Sequence, residues 1–192
     1  MLSLILLGVV WGASLLRQGR SLLAKYSKFI FIFAVIELFF YGVYLSLLQY
    51  EGMLNSGLSK FLLPPHQGIS YFLIYIAGAR IFGPYVISFF ASLILMWATK
   101  RYNRKYGGRF FEKEEIYLGA LSMFLVSHPG WIIYFPTLIF LYMLIQLYNR
   151  FVRGRVDERI PLYHLWVPTA IFVILINEYW LSNMPFWLLL KI

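Results

Sequence analysis

The sequence predicts an all-α, polytopic transmembrane helix bundle with about six spans and the N-terminus outside. Hydrophobic residues make up 61% of the 192-residue chain and charged residues only 13%, whereas soluble domains carry about 25% charged residues. Long apolar runs recur along the chain, and the basic residues gather between alternate runs. These observations predict one integral membrane domain over residues 1–192.

The apolar runs set the predicted bounds of the spans, because a bilayer core of ~30 Å needs ~20 helical residues. The predicted spans cover residues 2–16, 29–48, 81–99, 112–128, 131–148 and 161–178. Residues 69–79 are apolar but too few to cross alone. We therefore expect a re-entrant or interfacial helix there, followed by the third span at Gly83 and Pro84. Pro129 and Gly130 predict a tight hairpin between the fourth and fifth spans.

The basic residues predict the orientation. Of the 17 lysines and arginines, all except Lys60, Arg80 and Lys191 fall in three clusters. The clusters are Arg17, Arg20, Lys25 and Lys28; Lys100, Arg101, Arg104, Lys105, Arg109 and Lys113; and Arg150, Arg153, Arg155 and Arg159. Alternate basic loops are typical of the cytoplasmic side.

This charge pattern and the first span bear on partners and location. The net charge of +9 reflects orientation against an anionic inner leaflet, so the predicted partner is the lipid bilayer of the cell membrane and not nucleic acid. The first span precedes its basic residues, which is the reverse of a signal peptide, so we expect it to be retained.

The candidate chemistry lies on carboxylates. Glu112, Glu114 and Glu115 open the predicted fourth span, where acids complement a helix macrodipole but could also serve as general acid or base. Glu37 lies about nine residues beyond Lys28, hence ~13 Å below the inner surface. An ionisable group at that depth is a functional candidate by default, with a structural interhelical hydrogen bond as the alternative.

Other kinds of site have little support in the sequence. The chain contains no cysteine, which excludes disulfides, thiolate chemistry and cysteine-ligated metals. His66, Arg80, His128 and Glu178 map to the outer side, either as solvated residues at turns and span ends or as a ligand cluster. No HExxH motif or glycine-rich phosphate loop is present, so we predict no metal and no cofactor.

Two stretches carry a resemblance to a known family. Residues 114–122, EEIYLGALS, open a helix after a basic loop, and residues 160–164, IPLYH, open the last predicted span after another basic loop. In this layout the chain is similar to the membrane-embedded prepilin peptidases of the GxGD aspartic class. The resemblance covers residues 81–177 and implies aspartic-type endopeptidase activity on the leader helix of a pilin-like protein.

The catalytic pattern of that family is altered in this chain. Glu114 stands where the family has its catalytic aspartate, and Phe111 and Lys113 replace the flanking glycines. No acid occurs between Ser14 and Lys28, where the family's second aspartate would lie. The candidate catalytic residues are therefore Glu114, Glu115 and Glu37, in a protein that is either non-catalytic or glutamate-based.

Three classes of function follow from these observations. The first is a peptidase-like protein that handles a hydrophobic leader helix at the cytoplasmic face, with or without catalysis. The second is a structural subunit of a membrane assembly. The third is a small transporter or lipid-handling protein in which Glu37 lines a path. The sequence leaves the oligomeric state open.

Overall fold

The computed structural model describes residues 2–108, 111–152 and 162–190, and within these ranges it contains helices and turns but no strand. We number the main helices α1 (Leu2–Leu15), α2 (Arg17–Leu54), α3 (Ile69–Lys105), α4 (Lys113–Val126), α5 (Trp131–Phe151), α6 (Tyr163–Tyr179) and α7 (Pro185–Leu190). The prediction of an all-α bundle is confirmed for the described residues.

Four of the described helical stretches are long and apolar enough to cross a membrane. They are Ser21–Leu54, Ile69–Lys105, Trp131–Phe151 and Tyr163–Asn183. Helices α1 and α4 are shorter, at 14 residues each, and α4 is largely enclosed by the others. The large side chains on the outside of the bundle are mostly apolar. The protein is thus a membrane-embedded helix bundle.

Helix α4 forms the centre of the bundle. From Glu115 to Val126 every side chain except that of Tyr117 is buried, and α4 packs against α2, α3 and α6. Small residues allow this close packing, as is common between membrane helices. A Cβ atom added at Gly119 would lie 3.2 Å from ring atoms of Trp166 on α6. Ser88 of α3, the helix most extensively packed on α4, is fully buried.

Helices α2 and α3 form a long antiparallel hairpin. The ring centroids of Phe39 and Phe82 lie 5.6 Å apart, and those of Tyr50 and Phe72 lie 5.1 Å apart. Helix α2 has 38 residues, or ~57 Å at helical rise, which exceeds a bilayer core of ~30 Å. The predicted span covered only residues 29–48. Residues 17–28 and 49–54 are also helical and belong to α2.

Two local causes extend α2 beyond the predicted span. The extension before the predicted span contains Leu22, Leu23, Ala24 and Lys25, which are strong helix formers. The extension after the predicted span is held by packing, because Met53 of α2 joins Leu63 and Phe72 in a small buried cluster near the turn of the hairpin. The predicted bounds of 29–48 were therefore too narrow, because helix propensity at one end and packing at the other extend the helix.

Helix α3 continues through Gly83 and Pro84, where the sequence analysis placed the start of a span. Residues Phe72–Phe82 are π-helical, and the α-helical part runs from Gly83 to Lys105. Proline is tolerated here because the hydrogen-bond pattern changes at this point and Pro84 occupies the first turn of the α-helical part. Entry of residues 69–79 into the bilayer stays a prediction.

A tight turn joins α4 to α5 where Pro129 and Gly130 predicted a hairpin. Ser127 adopts a positive φ of 59°, and the backbone N–H of His128 donates to the carbonyl oxygen of Pro84 at 3.3 Å. The turn is thereby attached to α3. Two sequence predictions, the loop with Arg153, Arg155 and Arg159 and the start of a span at Ile160 and Pro161, lie outside the described residues.

Candidate functional site

Glu115 is a fully buried carboxylate at the start of the central helix. It occupies the third position of α4, and its side chain is 0% exposed. Its Oε2 accepts the backbone N–H of Glu112 at 2.9 Å, while the Glu112 side chain accepts the backbone N–H of Glu115. This reciprocal pair is a capping box. It satisfies two of the donors that the first turn of a helix leaves without an intrahelical partner.

The second oxygen of Glu115 reaches another helix. Its Oε1 accepts the backbone N–H of Tyr163 at 3.0 Å, and Tyr163 is the first residue of α6. One carboxyl group therefore accepts N–H groups at the starts of two helices, where these donors have no intrahelical acceptor. Both oxygens of Glu115 accept hydrogen bonds from backbone N–H groups, so this side chain links α4 to α6. We call this link the tie between α4 and α6.

The adjacent Glu114 has a different environment. Its side chain is half-buried, on the other side of the first turn of α4, and forms no hydrogen bond or ion pair within the described ranges. Nearby, the side-chain amide of Asn103 donates to the carbonyl oxygen of Phe111 at 2.7 Å and accepts the Phe111 N–H at 3.2 Å. The end of α3 and the approach to α4 are thus fastened together beside Glu114.

Glu37 lies far from the other two candidates. The rings of Phe31 on α2 and Phe124 on α4 contact each other with centroids 6.2 Å apart, which sets the relative register of these parallel helices. Glu37 is further along α2 than this contact, and Glu115 is at the opposite end of α4. The two carboxylates are consequently ~20 Å apart along the bundle axis at helical rise. Carboxylates that share a proton must nearly touch.

The surroundings of Glu37 are only partly polar. Its Oε2 is buried and has no hydrogen-bond partner among the described residues. Tyr41, one helical turn further along the same face of α2, lies near Tyr85 of α3, as does Ser3 of α1. Helix α1 therefore folds back along α2, and the Tyr41, Tyr85 and Ser3 hydroxyls lie near one another in the part of the bundle that contains Glu37.

A groove opens on the outside of the bundle between α2 and α3. It contains about 530 Å³ of space free of protein atoms and is lined by apolar and aromatic side chains. Its wall residues are Val35, Leu38, Phe39, Phe82, Tyr85, Val86 and Phe89, with Phe124 of α4 at its base. The side chain of Phe39 is 58% exposed and that of Val86 is 48% exposed. The groove therefore opens sideways from the bundle.

The polar residues His66, Arg80, His128 and Glu178, which the sequence predicts on the outer side, have separate surroundings. The Nε2 atom of His128 lies 2.9 Å from the carbonyl oxygen of Leu190 and links the α4–α5 turn to α7. The His66 ring contacts Phe61 with centroids 4.8 Å apart, and Arg80 and Glu178 are exposed. Within residues 2–108, 111–152 and 162–190, no group of three or more histidine or acidic side chains is placed to hold a metal ion.

Sequence reasoning identified part of this arrangement. The pairing of acids with a helix start was expected. The spacing of Glu112 and Glu115 is that of a capping box, but the motif usually has Ser or Thr where this chain has Glu112. The bond to the Tyr163 amide and the groove have no local sequence signature, because both depend on helices that are distant in the chain. No family model, curated protein or solved structure matches this chain.

Removing the Glu115 carboxylate should destabilise the fold. In Glu115→Ala the N–H groups of Glu112 and Tyr163 lose their acceptor. The bond to Tyr163 is the buried one, and leaving that donor unsatisfied costs about 1–3 kcal/mol. We expect a marked fall in the midpoint of thermal unfolding in detergent, followed by circular dichroism. Glu114→Ala, the matched control, should change the midpoint little. Equal effects of the two substitutions would contradict the tie between α4 and α6.

Proposed function

We propose that this protein is a non-catalytic, multi-pass protein of the cell membrane that docks an apolar helix of a partner in the groove between α2 and α3. The observation that carries the proposal is the groove itself, with its apolar lining and sideways opening. The partner is of the kind that the resemblance to prepilin peptidases implies, a hydrophobic leader helix. Such a helix would present its side chains to the groove from within the bilayer.

The groove has the properties that helix docking in a membrane requires. Lipid tails are as apolar as leucine, so association there depends on close packing rather than on a hydrophobic driving force. Phe39 and Phe82 contact each other across the groove, and Phe89 packs on Phe124 at its base with centroids 6.1 Å apart. These contacts preform a cavity whose shape favours inserted side chains over disordered lipid.

The positions of the acids support a role without catalysis. Glu115 is bonded to two backbone amides, and Glu37 lies ~20 Å from it along the axis. An aspartic-type mechanism uses two carboxylates in near contact, one charged and one protonated. Binding of a leader-like helix without cleavage is therefore the part of the family's activity that this arrangement favours.

The proposed orientation places the N-terminus outside and the basic end of α3 inside. Because the native chain has no cysteine, single cysteines can report this orientation. Leu58, between α2 and α3, is 84% exposed, and Phe151, at the other end of the bundle, is 78% exposed. In intact cells a membrane-impermeant maleimide should label Leu58→Cys, and should label Phe151→Cys only after permeabilisation. The opposite pattern would reverse the proposed orientation.

Filling the groove should weaken docking. The probe is a synthetic apolar helix with a basic N-terminus. It is added to the protein in nanodiscs, and the protein carries a photo-crosslinking residue in place of Phe39. We expect Val86→Trp to weaken crosslinking by about tenfold, equivalent to ~1.4 kcal/mol. Ile94→Trp, at an exposed position of α3 outside the groove, should leave it unchanged.

Three results of this experiment would overturn the proposal. Equal crosslinking in the Val86→Trp and Ile94→Trp variants would show that the groove is not the binding site. Cleavage of the probe by the wild-type protein, abolished by Glu114→Gln, would show a glutamate-based peptidase instead. Cleavage retained in Glu114→Gln but lost in Glu37→Gln would assign the essential carboxylate to α2.

Glu37 favours a second candidate function, passage of a proton or cation. Its buried Oε2 has no partner among the described residues, and an ionisable group inside a span commonly marks an ion path. If such a path exists, Glu37→Gln should reduce proton or potassium flux into reconstituted vesicles relative to wild type. Glu51→Gln, an exposed position on the same helix, is the control. Wild-type flux no greater than that of empty vesicles would exclude this function.

A further inference from the structure

The inner end of α3 carries a pocket that the proposed function does not use. An open, solvent-facing depression on the surface of the helix is lined by Trp97, Lys100, Arg101, Arg104 and Lys105. We call it the basic pocket. Lys100 and Arg104, like Arg101 and Lys105, are separated by one helical turn and so lie on one face. Trp97 lies one turn closer to the middle of the helix on the same face.

The four cations lie within the last two turns of α3. None of them forms an ion pair within the described ranges. Like charges one turn apart destabilise a helix, and the macrodipole offsets this effect for the last-turn residues Arg104 and Lys105. The arrangement is thus a concentrated positive site with room for an anion.

Aromatic side chains orient two of these cations. The Nζ atom of Lys100 lies 4.7 Å from the ring centroid of Tyr117 on α4 and donates to its hydroxyl at 3.3 Å. The guanidinium of Arg101 lies 5.5 Å from the ring of Trp97. Such contacts leave N–H donors of both cations available while restricting their positions. A guanidinium next to an ammonium is suited to bidentate recognition of a phosphate.

We propose that the basic pocket binds the phosphate headgroup of an anionic phospholipid in the inner leaflet. Trp97 is 62% exposed and stands between the cations and the apolar part of α3, as tryptophan does at the headgroup level of a membrane. Beyond it along the helix, Phe90, Leu93 and Ile94 are exposed, and acyl chains of the same lipid can lie against them. Along α3 the cations come first, then Trp97, then the exposed apolar side chains. This order matches that of a phospholipid, in which the charged headgroup is followed by the interfacial region and the acyl chains.

Native mass spectrometry can test this proposal on the full chain released from nanodiscs that contain equal amounts of phosphatidylglycerol and phosphatidylcholine. The wild-type protein should retain phosphatidylglycerol preferentially. The double substitution Arg101→Gln and Arg104→Gln should lower that retention about tenfold, because charge-assisted hydrogen bonds are lost. Both positions are exposed, so the bundle should remain folded. The control is Arg150→Gln, an exposed cation in the last turn of α5.

A second readout places the lipid next to the aromatic residue. Brominated phosphatidylglycerol should quench tryptophan fluorescence more strongly in the wild-type protein than in Trp97→Phe, and brominated phosphatidylcholine should show no such difference. Three results would overturn the proposal: no preference for phosphatidylglycerol, an equal loss of retention in Arg150→Gln, or displacement of the lipid by millimolar inorganic phosphate. The last would indicate a site for a soluble anion.

Discussion

The carboxylate of Glu115 is the interaction on which the rest of the bundle depends. It is fully buried, and it accepts backbone N–H groups at the starts of both α4 and α6. Hydrogen bonds of this charge-assisted kind are stronger where water is excluded, and their loss is correspondingly costly. Because α4 is surrounded by α2, α3 and α6, fixing its first turn against α6 also fixes the level at which the other helices pack.

This constraint accounts for the division of the molecule into a closed centre and an open periphery. Inside the bundle, small residues such as Gly119 and Ser88 let the helices approach closely. Glu115, in the first turn of the central helix, accepts hydrogen bonds from backbone amides. The outside of the described bundle includes the apolar groove between α2 and α3 and the basic pocket at the C-terminal end of α3. The apolar lining of the groove is suited to binding an apolar helix. The cations of the basic pocket are suited to binding a phosphate.

The sequence predicts those features that arise from neighbouring residues. Apolar runs predicted helices, Pro129 and Gly130 a hairpin, and the acids near Glu115 a helix start. It does not predict the continuation of α3 through Pro84, because the π-helical segment before it changes the position at which a backbone donor is needed. Nor does it predict the Tyr163 amide as a partner of Glu115, since 48 residues separate them and only the packing of α6 on α4 brings them together.

The most direct test of this account is amide hydrogen exchange at Tyr163 and Glu112, followed by NMR in detergent micelles. If Glu115 ties the two helix starts together, both amides should exchange as slowly as the middle of α4 in the wild-type protein. In Glu115→Gln, which keeps only one carbonyl oxygen as acceptor, at least one of them should exchange much faster while the middle of α4 changes less. Unchanged protection of both amides in the variant would contradict the account.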